Sequence, residues 1–335
     1  MTFADQYIAE RVTKNTFLHQ INLLIRWQDL RSVLNQYKDQ LRQPKGRKSY
    51  DPIVLFKMCL LQTWYNLSDR QVEEQVNDSL SFMRFCGLSL EDGVPDHSTL
   101  CRFRNALTQK KVWDQLLDGI NDQLEQAQIL VKQGAIVDAS ITPSPRKPKG
   151  KKVYKLEVDQ ENEKVEQQFK KGVDQQARWT KKGGKAHFGY KQHIATEDQE
   201  GLILSVTTTS ANRHDITEFE VVVDKAKLPK YAKLYADKGY AGSEKSTTLR
   251  QKDYLPRVQH RATRNHPLTD RQIQANKIIS KTRYKVERAF GSMRRWFGFR
   301  EARYVGLDKM HGQHVINAIA YNLRRSPGII VSNAL

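Results

Sequence analysis

The chain has 335 residues, 39% hydrophobic and 28% charged, with 56 Lys and Arg against 37 Asp and Glu. A net charge of +19 and a pI near 9.7 point to polyanionic partners and salt-sensitive binding. No apolar run approaches the ~20 residues of a membrane helix, and MTFADQYIAERVTKN, with its acids and no apolar core, does not read as a secretory signal.

Residues 16–42 carry apolar side chains at helical spacing (Phe17, Ile21, Leu24, Trp27, Leu30, Leu34) and predict one amphipathic helix, interrupted by Pro44 to Gly46. Asp51-Pro52 opens a nearly all-apolar helix, IVLFKMCLLQTWY, with proline suited to the first turn. Leu67-Ser68-Asp69 caps a short helix, SLSFMRFCG forms another, and VPDHSTLCRFRNAL (94–107) reads as a turn, a cap at Ser98 or Thr99, and a helix with Leu100, Phe103 and Leu107 inward. Short helices joined by tight turns suggest a helix-turn-helix-like DNA-binding domain over 1–110; a plain helical bundle fits the same pattern. Residues 111–133 hold an amphipathic connector helix (Trp113, Leu116, Leu117, Ile120, Leu124). Cys59, Cys86 and Cys101 form no CxxC pair, so we expect three buried thiols, no zinc site and a reducing cytoplasm.

From 134 the pattern changes. GAIVDAS, AHFGYKQHIATED, GLILSVTTTSA, KLYADKG and DYLPRV read as strands, the second and third joined by a turn at Gln199-Glu200-Gly201. Helices are expected near 216–226, over GSEKSTTLRQK, over 268–297 and over about 309–325. Strands followed by alternating strand and helix give a mixed α/β sheet flanked by helices, preceded by the all-α region. The basic excess lies here: residues 1–110 hold 15 basic and 12 acidic side chains, leaving a net +16 for 111–335. Residues 141–185 contain 13 Lys and Arg against 6 Asp and Glu and read as a DNA-contacting insertion, with a solvated linker as the alternative; PSPRKPKGKK within it reads as flexible.

Three acids stand out. Asp138 in GAIVDAS and Asp237 in LYADKGYAG each end an apolar strand pattern, and Glu287 lies in SKTRYKVERAFGSMRRW. Phosphodiester cleavage needs stabilisation of the attacking and leaving oxygens, which two divalent ions about 4 Å apart supply. Mg²⁺ takes oxygen ligands and keeps its waters, so a few carboxylates suffice. On a helix, Arg283, Glu287 and Arg294 share a face beside the apolar stripe Val286, Phe290, Met293 and Phe297, which aims the acid inward and the guanidiniums toward a phosphate. His187, His193 and His214 are weaker catalytic candidates; Asp215 reads as a helix cap, and Lys238 and Tyr240 as DNA-facing groups.

VPDHSTLCRFRNAL, IVDASIT, WTKKGGKAHFGYKQH, YADKGYAG and RYKVERAFGSMRRWFGFREARY, in that order from about residue 45 to the end, resemble the bacterial DDE transposases of insertion sequences, particularly the insertion-sequence-five group. The resemblance implies a ribonuclease H-like catalytic domain (134–335), cleavage at terminal inverted repeats, joining of the 3′-hydroxyl ends to target DNA, and a homodimer or higher oligomer pairing the ends. Its acids fall on Asp138, Asp237 and Glu287, 99 and 50 residues apart, as ligands of two Mg²⁺ ions for which Mn²⁺ substitutes. The family signature Tyr-x2-Arg-x3-Glu-x6-Lys places Ser280 at the tyrosine and Arg294 at the lysine position, a departure that keeps a cation with different geometry. The groups expected to meet double-stranded DNA are Arg102, Arg104, Lys147, Lys149, Lys151, Lys152, Lys181, Lys182, Lys185, Lys191, Lys238, Tyr240, Arg283, Arg294 and Arg295. The expected location is a bacterial cytoplasm, at the nucleoid when DNA is bound. A DNA-binding regulator that no longer cuts and a nuclease that cuts without joining are the alternatives.

Overall fold

Capped, apolar-striped segments fold the first third of the chain into helices. The computed structural model describes residues 16–37, 49–149, 153–159, 162–168, 172–240, 243–264 and 266–333. Helix α1 (Phe17–Leu24) and α2 (Arg31–Asn35) are separated by a 3₁₀ turn at Trp27–Leu30, so the single helix expected over 16–42 is broken, and its last residues lie outside the described ones. The break has a long-range cause. The Gln123 side chain accepts the Arg26 N–H (2.8 Å) and donates to the Arg26 carbonyl (3.3 Å), drawing this backbone out of the helical ladder.

Helix α3 (Pro52–Trp64) starts on an Asp51 cap and is buried along its whole length. Even Lys57 is enclosed, its ammonium 4.7 Å from the Trp27 ring centre, and burial pulls its pKa down to about 8. Helices α4 (Asp69–Asp78), α5 (Leu80–Cys86) and α6 (His97–Gln109) follow, α4 opening on a Ser68/Gln71 capping box. The cap of α6 is Asp96 rather than Ser98 or Thr99: its carboxylate accepts the Thr99 N–H (2.8 Å) and the hydroxyls of both expected caps. Cys59 and Cys86 are buried, but Cys101 is exposed.

The sheet contains β1 (Gly134–Pro143), β4 (Arg178–Lys182), β5 (Lys185–Glu197), β6 (Ile203–Ser210), β7 (Lys233–Ala236) and β8 (Leu255–Val258), while β2 (Val153–Asp159) and β3 (Asn162–Gln168) pair as a separate hairpin. The span 141–185, read as a basic insertion, holds the end of β1, the β2–β3 hairpin and β4; the last residues of PSPRKPKGKK, 150–152, lie outside the described ones. Strand β5 is antiparallel to β1, β4 and β6, whereas β7 is parallel to both β1 and β8. The sheet is therefore mixed, as the order of strands and helices in the sequence implies. Helix α8 (Asp215–Lys225) covers one face, with the Val222 carbonyl accepting from Ser205. On the other face lie α10 (Asp270–Trp296) and α11 (Leu307–Asn333), the latter running through Pro327 beyond its expected end. Helix α9 (Ser243–Gln251) precedes β8.

Helix α7 (Trp113–Gln126), expected as a connector, is a core element. One hydrophobic core runs from Leu18 on α1 through α7 and the sheet to Ile329 on α11. A buried amide pair pins three of its elements. Asn121 donates to the carbonyls of Ile203 and Leu204; Asn322 accepts the Ile203 N–H (2.7 Å) and donates to Asn121 Oδ1 (2.9 Å). Among the described residues no helix is long and apolar enough to cross a membrane.

Removing the Asn322 amide strands a buried N–H and a buried carbonyl oxygen. Asn322→Ala is expected to lower unfolding free energy by about 2–4 kcal/mol in urea titrations; a loss below about 1 kcal/mol would show that the pair does not hold β6 to α11.

Candidate active site

The β1–β7 pairing ends at Ile136 opposite Tyr235. Continuing the register by two residues sets Asp138 beside Asp237. Strand β1 goes on to Pro143 because β5 still pairs with it, so Asp138 lies in mid-strand, opposite Ile194, rather than at a strand end. Asp237 sits where β7 turns. Its Oδ1 accepts the Gly239 N–H (2.8 Å) and its carbonyl accepts the Tyr240 N–H (3.1 Å), closing a 3₁₀ turn over Lys238–Tyr240. A Cβ at position 239 would stand 3.0 Å from that carboxylate oxygen, so glycine leaves room for the side chain to fold back.

Asp138 accepts the Ala139 N–H on Oδ1 (2.8 Å) and Arg283 Nη2 on Oδ2 (3.1 Å). Burial pushes its carboxyl above the ordinary range. Arg283 and the Ala139 N–H oppose that, Asp237 adds to it, and Lys182 opposes it more weakly.

Helix α10 supplies the cations. A Thr269/Gln272 capping box starts it, and Val286, Phe290 and Met293, with Phe297 just beyond, bury the stripe that the helical period predicts. The adjacent face carries Arg283 to Asp138 and Gln259, and Arg294 to the Ser140 hydroxyl. Between them Glu287 is exposed, with no hydrogen bond or ion pair among the described residues. The structure thus brings Asp138, Asp237, Arg283, Ser140 and Arg294 together and leaves Glu287 above them. Among the described residues no three His, Cys, Asp or Glu side chains form a ready-made metal cluster. The donor set nonetheless fits a hard divalent cation: all three candidate ligands are carboxylates, and the half-buried Asp138 is paired with a guanidinium.

The other expected contacts divide. Lys181, Lys182 and Lys185 are exposed around a turn whose two glycines, Gly183 and Gly184, both have positive φ, as a tight hairpin requires. Lys147, Lys149, Lys238 and Arg102 are exposed; Arg295 lies over Trp296, 4.8 Å from the ring centre. Lys151 and Lys152 lie outside the described residues. Lys191 is engaged by Asp215 (2.9 Å) and the Arg213 carbonyl. Two assignments need correction. Arg104 points inward, held by Asp69 at 2.6 Å and by Gln62, so its charge is already neutralised. Tyr240 is 3% exposed with its ring against Phe219, and cannot face DNA. Burial, then the charges of Asp138, Asp215 and Asp237, holds its hydroxyl protonated.

Ser140 and Gln259 escaped the sequence reading. Ser140 had a signal, since it lies two residues from Asp138 and so on the same face of β1; Gln259 had none. His214, not Asp215, occupies the cap position of α8, with Asp215 in the first turn where a carboxylate suits the helix dipole. His187 is half-buried and His214 exposed.

His193 is buried against Thr209 (2.9 Å), and burial, opposed by Asp215, lowers its pKa to about 4. It is therefore neutral in the fold. The unfolded chain takes up its proton first as pH falls, so stability declines between about 6.5 and 4, by up to about 3 kcal/mol from this group. His193→Asn is expected to flatten that decline in denaturant titrations across the window; an unchanged slope would remove His193 as its source.

The family model "Transposase domain (DUF772)" matches residues 6–106, and "Transposase DDE domain" matches residues 130–323, more than half of the chain. Among solved structures the chain is similar to piggyBac transposase in a cryo-EM synaptic complex with hairpin DNA, at 10% identity and a TM-score of 0.46, covering 97% of this chain and 78% of that one. It is also similar to the Mos1 strand transfer complex, at 12% identity and a TM-score of 0.21, covering 88% and 81%. For the Mos1 mariner paired end complex with Mn the values are 12%, 0.22, 99% and 98%.

Proposed function

The chain belongs to the DDE-domain transposase family, and from that premise we propose that Asp138, Asp237 and Glu287 are its acid triad. As a member it is a DNA-binding enzyme that cuts and transfers DNA and uses divalent metal. The observation that supports the triad best is the adjacency of Asp138 and Asp237 across β1 and β7, beneath the α10 face that carries Glu287.

Asp138, Asp237 and Glu287 would hold two Mg²⁺ ions, with Mn²⁺ as substitute, and the ions would supply Lewis-acid stabilisation of the attacking and leaving oxygens. The remaining tasks fall to the chain. Arg283 and Arg294, now on Asp138 and Ser140, reach from α10 toward the scissile phosphate, where a guanidinium fork meets two oxygens at once. The exposed Lys181, Lys182 and Lys185 follow the flanking backbone, and the net charge of +19 draws the duplex in. Lys182 is close enough to Asp138 for its charge to be felt there, which brings the basic hairpin to the site.

The substrate in this reading is the element's own terminal inverted repeats. Hydrolysis frees a 3′-hydroxyl, which then attacks target DNA within a homodimer or higher assembly pairing the ends. The insertion-sequence-five group and a bacterial cytoplasm, with attachment to the nucleoid through DNA, complete the proposal.

Asp138→Asn, Asp237→Asn and Glu287→Gln are each expected to reduce Mg²⁺-dependent cleavage of a duplex carrying the gene's flanking end by at least about 100-fold, since even outer-shell losses cost about 10–100-fold. Binding of the same duplex in chelator should persist, because it depends on the cations. Cleavage by all three variants at the wild-type rate would overturn the triad.

A further inference from the structure

Tyr240 is the polar side chain beside the acid pair that the proposed chemistry leaves without a task. Its hydroxyl is sealed from solvent and has no hydrogen-bond partner among the described residues. A buried hydroxyl in that condition is costly, and native structures rarely tolerate it without a use. Its surroundings are not apolar: Asp138, Asp215, Asp237 and Arg283 act on it. Its place is firmly set. The backbone N–H is tied to the Asp237 carbonyl (3.1 Å) through the 3₁₀ turn, and the ring packs at a 42° tilt against Phe219 of α8 with centroids 5.0 Å apart. The phenol thus comes to the acids from the α8 side of the sheet, while Arg283 comes from the α10 side.

Asp138 makes one backbone hydrogen bond, on Oδ1, and otherwise depends on Arg283. If Arg283 is to meet a phosphate, the half-buried carboxylate loses a partner and gains freedom to rotate. An O–H donor behind it would keep it aimed, and a hydrogen bond from a neutral donor to a carboxylate is short and strong.

We propose that Tyr240 is a positioning residue of the acid pair, its phenol O–H donating to the Asp138 carboxylate when Arg283 turns to DNA. This rests on the triad reading above. The phenol touches neither DNA nor metal; it orients a metal ligand, as outer-shell donors do.

Tyr240→Phe removes one oxygen and keeps the ring contact with Phe219. The variant is expected to melt within about 3 °C of wild type. Its half-saturating Mn²⁺ for cleavage should rise about ten-fold, and calorimetric Mn²⁺ affinity of the protein bound to an already cleaved end duplex should fall by a similar factor. Metal titrations that superimpose on wild type would overturn the proposal, as would a lower melting temperature with unmoved titrations, which would make Tyr240 a packing residue. Asp237→Asn, run in parallel, separates the two readings. If it cuts as wild type does, the triad itself is wrong; if it is dead while Tyr240→Phe matches wild type in both titrations, only the positioning role falls.

Discussion

The site depends on a short parallel pairing. Only three residue pairs join β1 to β7, from Gly134–Lys233 to Ile136–Tyr235, yet they bring together two acids 99 residues apart in the chain. The pairing stops where the acids begin, because β7 turns away at Asp237 while β1 stays bound to β5. That divergence opens a space flanked by two carboxylates, with one strand held firm and the other ending in a tight turn. Both strands are buried in one continuous core with α7 and α11, so the separation of the acids is set by packing that extends to the N-terminal helices.

Charge balance explains the rest of the site. A half-buried carboxylate beside a second one is unfavourable unless a cation is near. Arg283 provides that cation from α10, and Arg294 rests on Ser140 further along the same strand. Both guanidiniums are therefore stored beside the acids and available to a phosphate. Glu287, between them on the helix, is exposed and has no partner to release among the described residues. The basic turn between β4 and β5 brings further positive charge toward the same opening.

Much of this was legible in the sequence, for identifiable reasons. Asp138 and Asp237 follow apolar runs too short for helices, and the 3.6-residue period placed Val286, Phe290 and Met293 inward with Arg283 and Arg294 on the neighbouring face. The failures were of two kinds. Arg104 reads as a free cation because its partner, Asp69, lies 35 residues away and on another helix. Tyr240 reads as exposed because it neighbours Asp237 in a polar stretch; a 3₁₀ turn has three residues per turn and carries it back under the sheet. The break at Arg26 likewise depends on Gln123, a partner that no local pattern reveals.

The central claim is that Asp138 and Asp237 face one another as ligands of a common ion. Anomalous diffraction from crystals of the DNA-bound protein grown in Mn²⁺ tests it directly. The account requires a manganese peak bridging Asp138 and Asp237 on the α10 side of the sheet, with Arg283 moved off Asp138. Manganese bound only elsewhere, with the Arg283–Asp138 pair intact in a complex that cuts in the crystal, would contradict it.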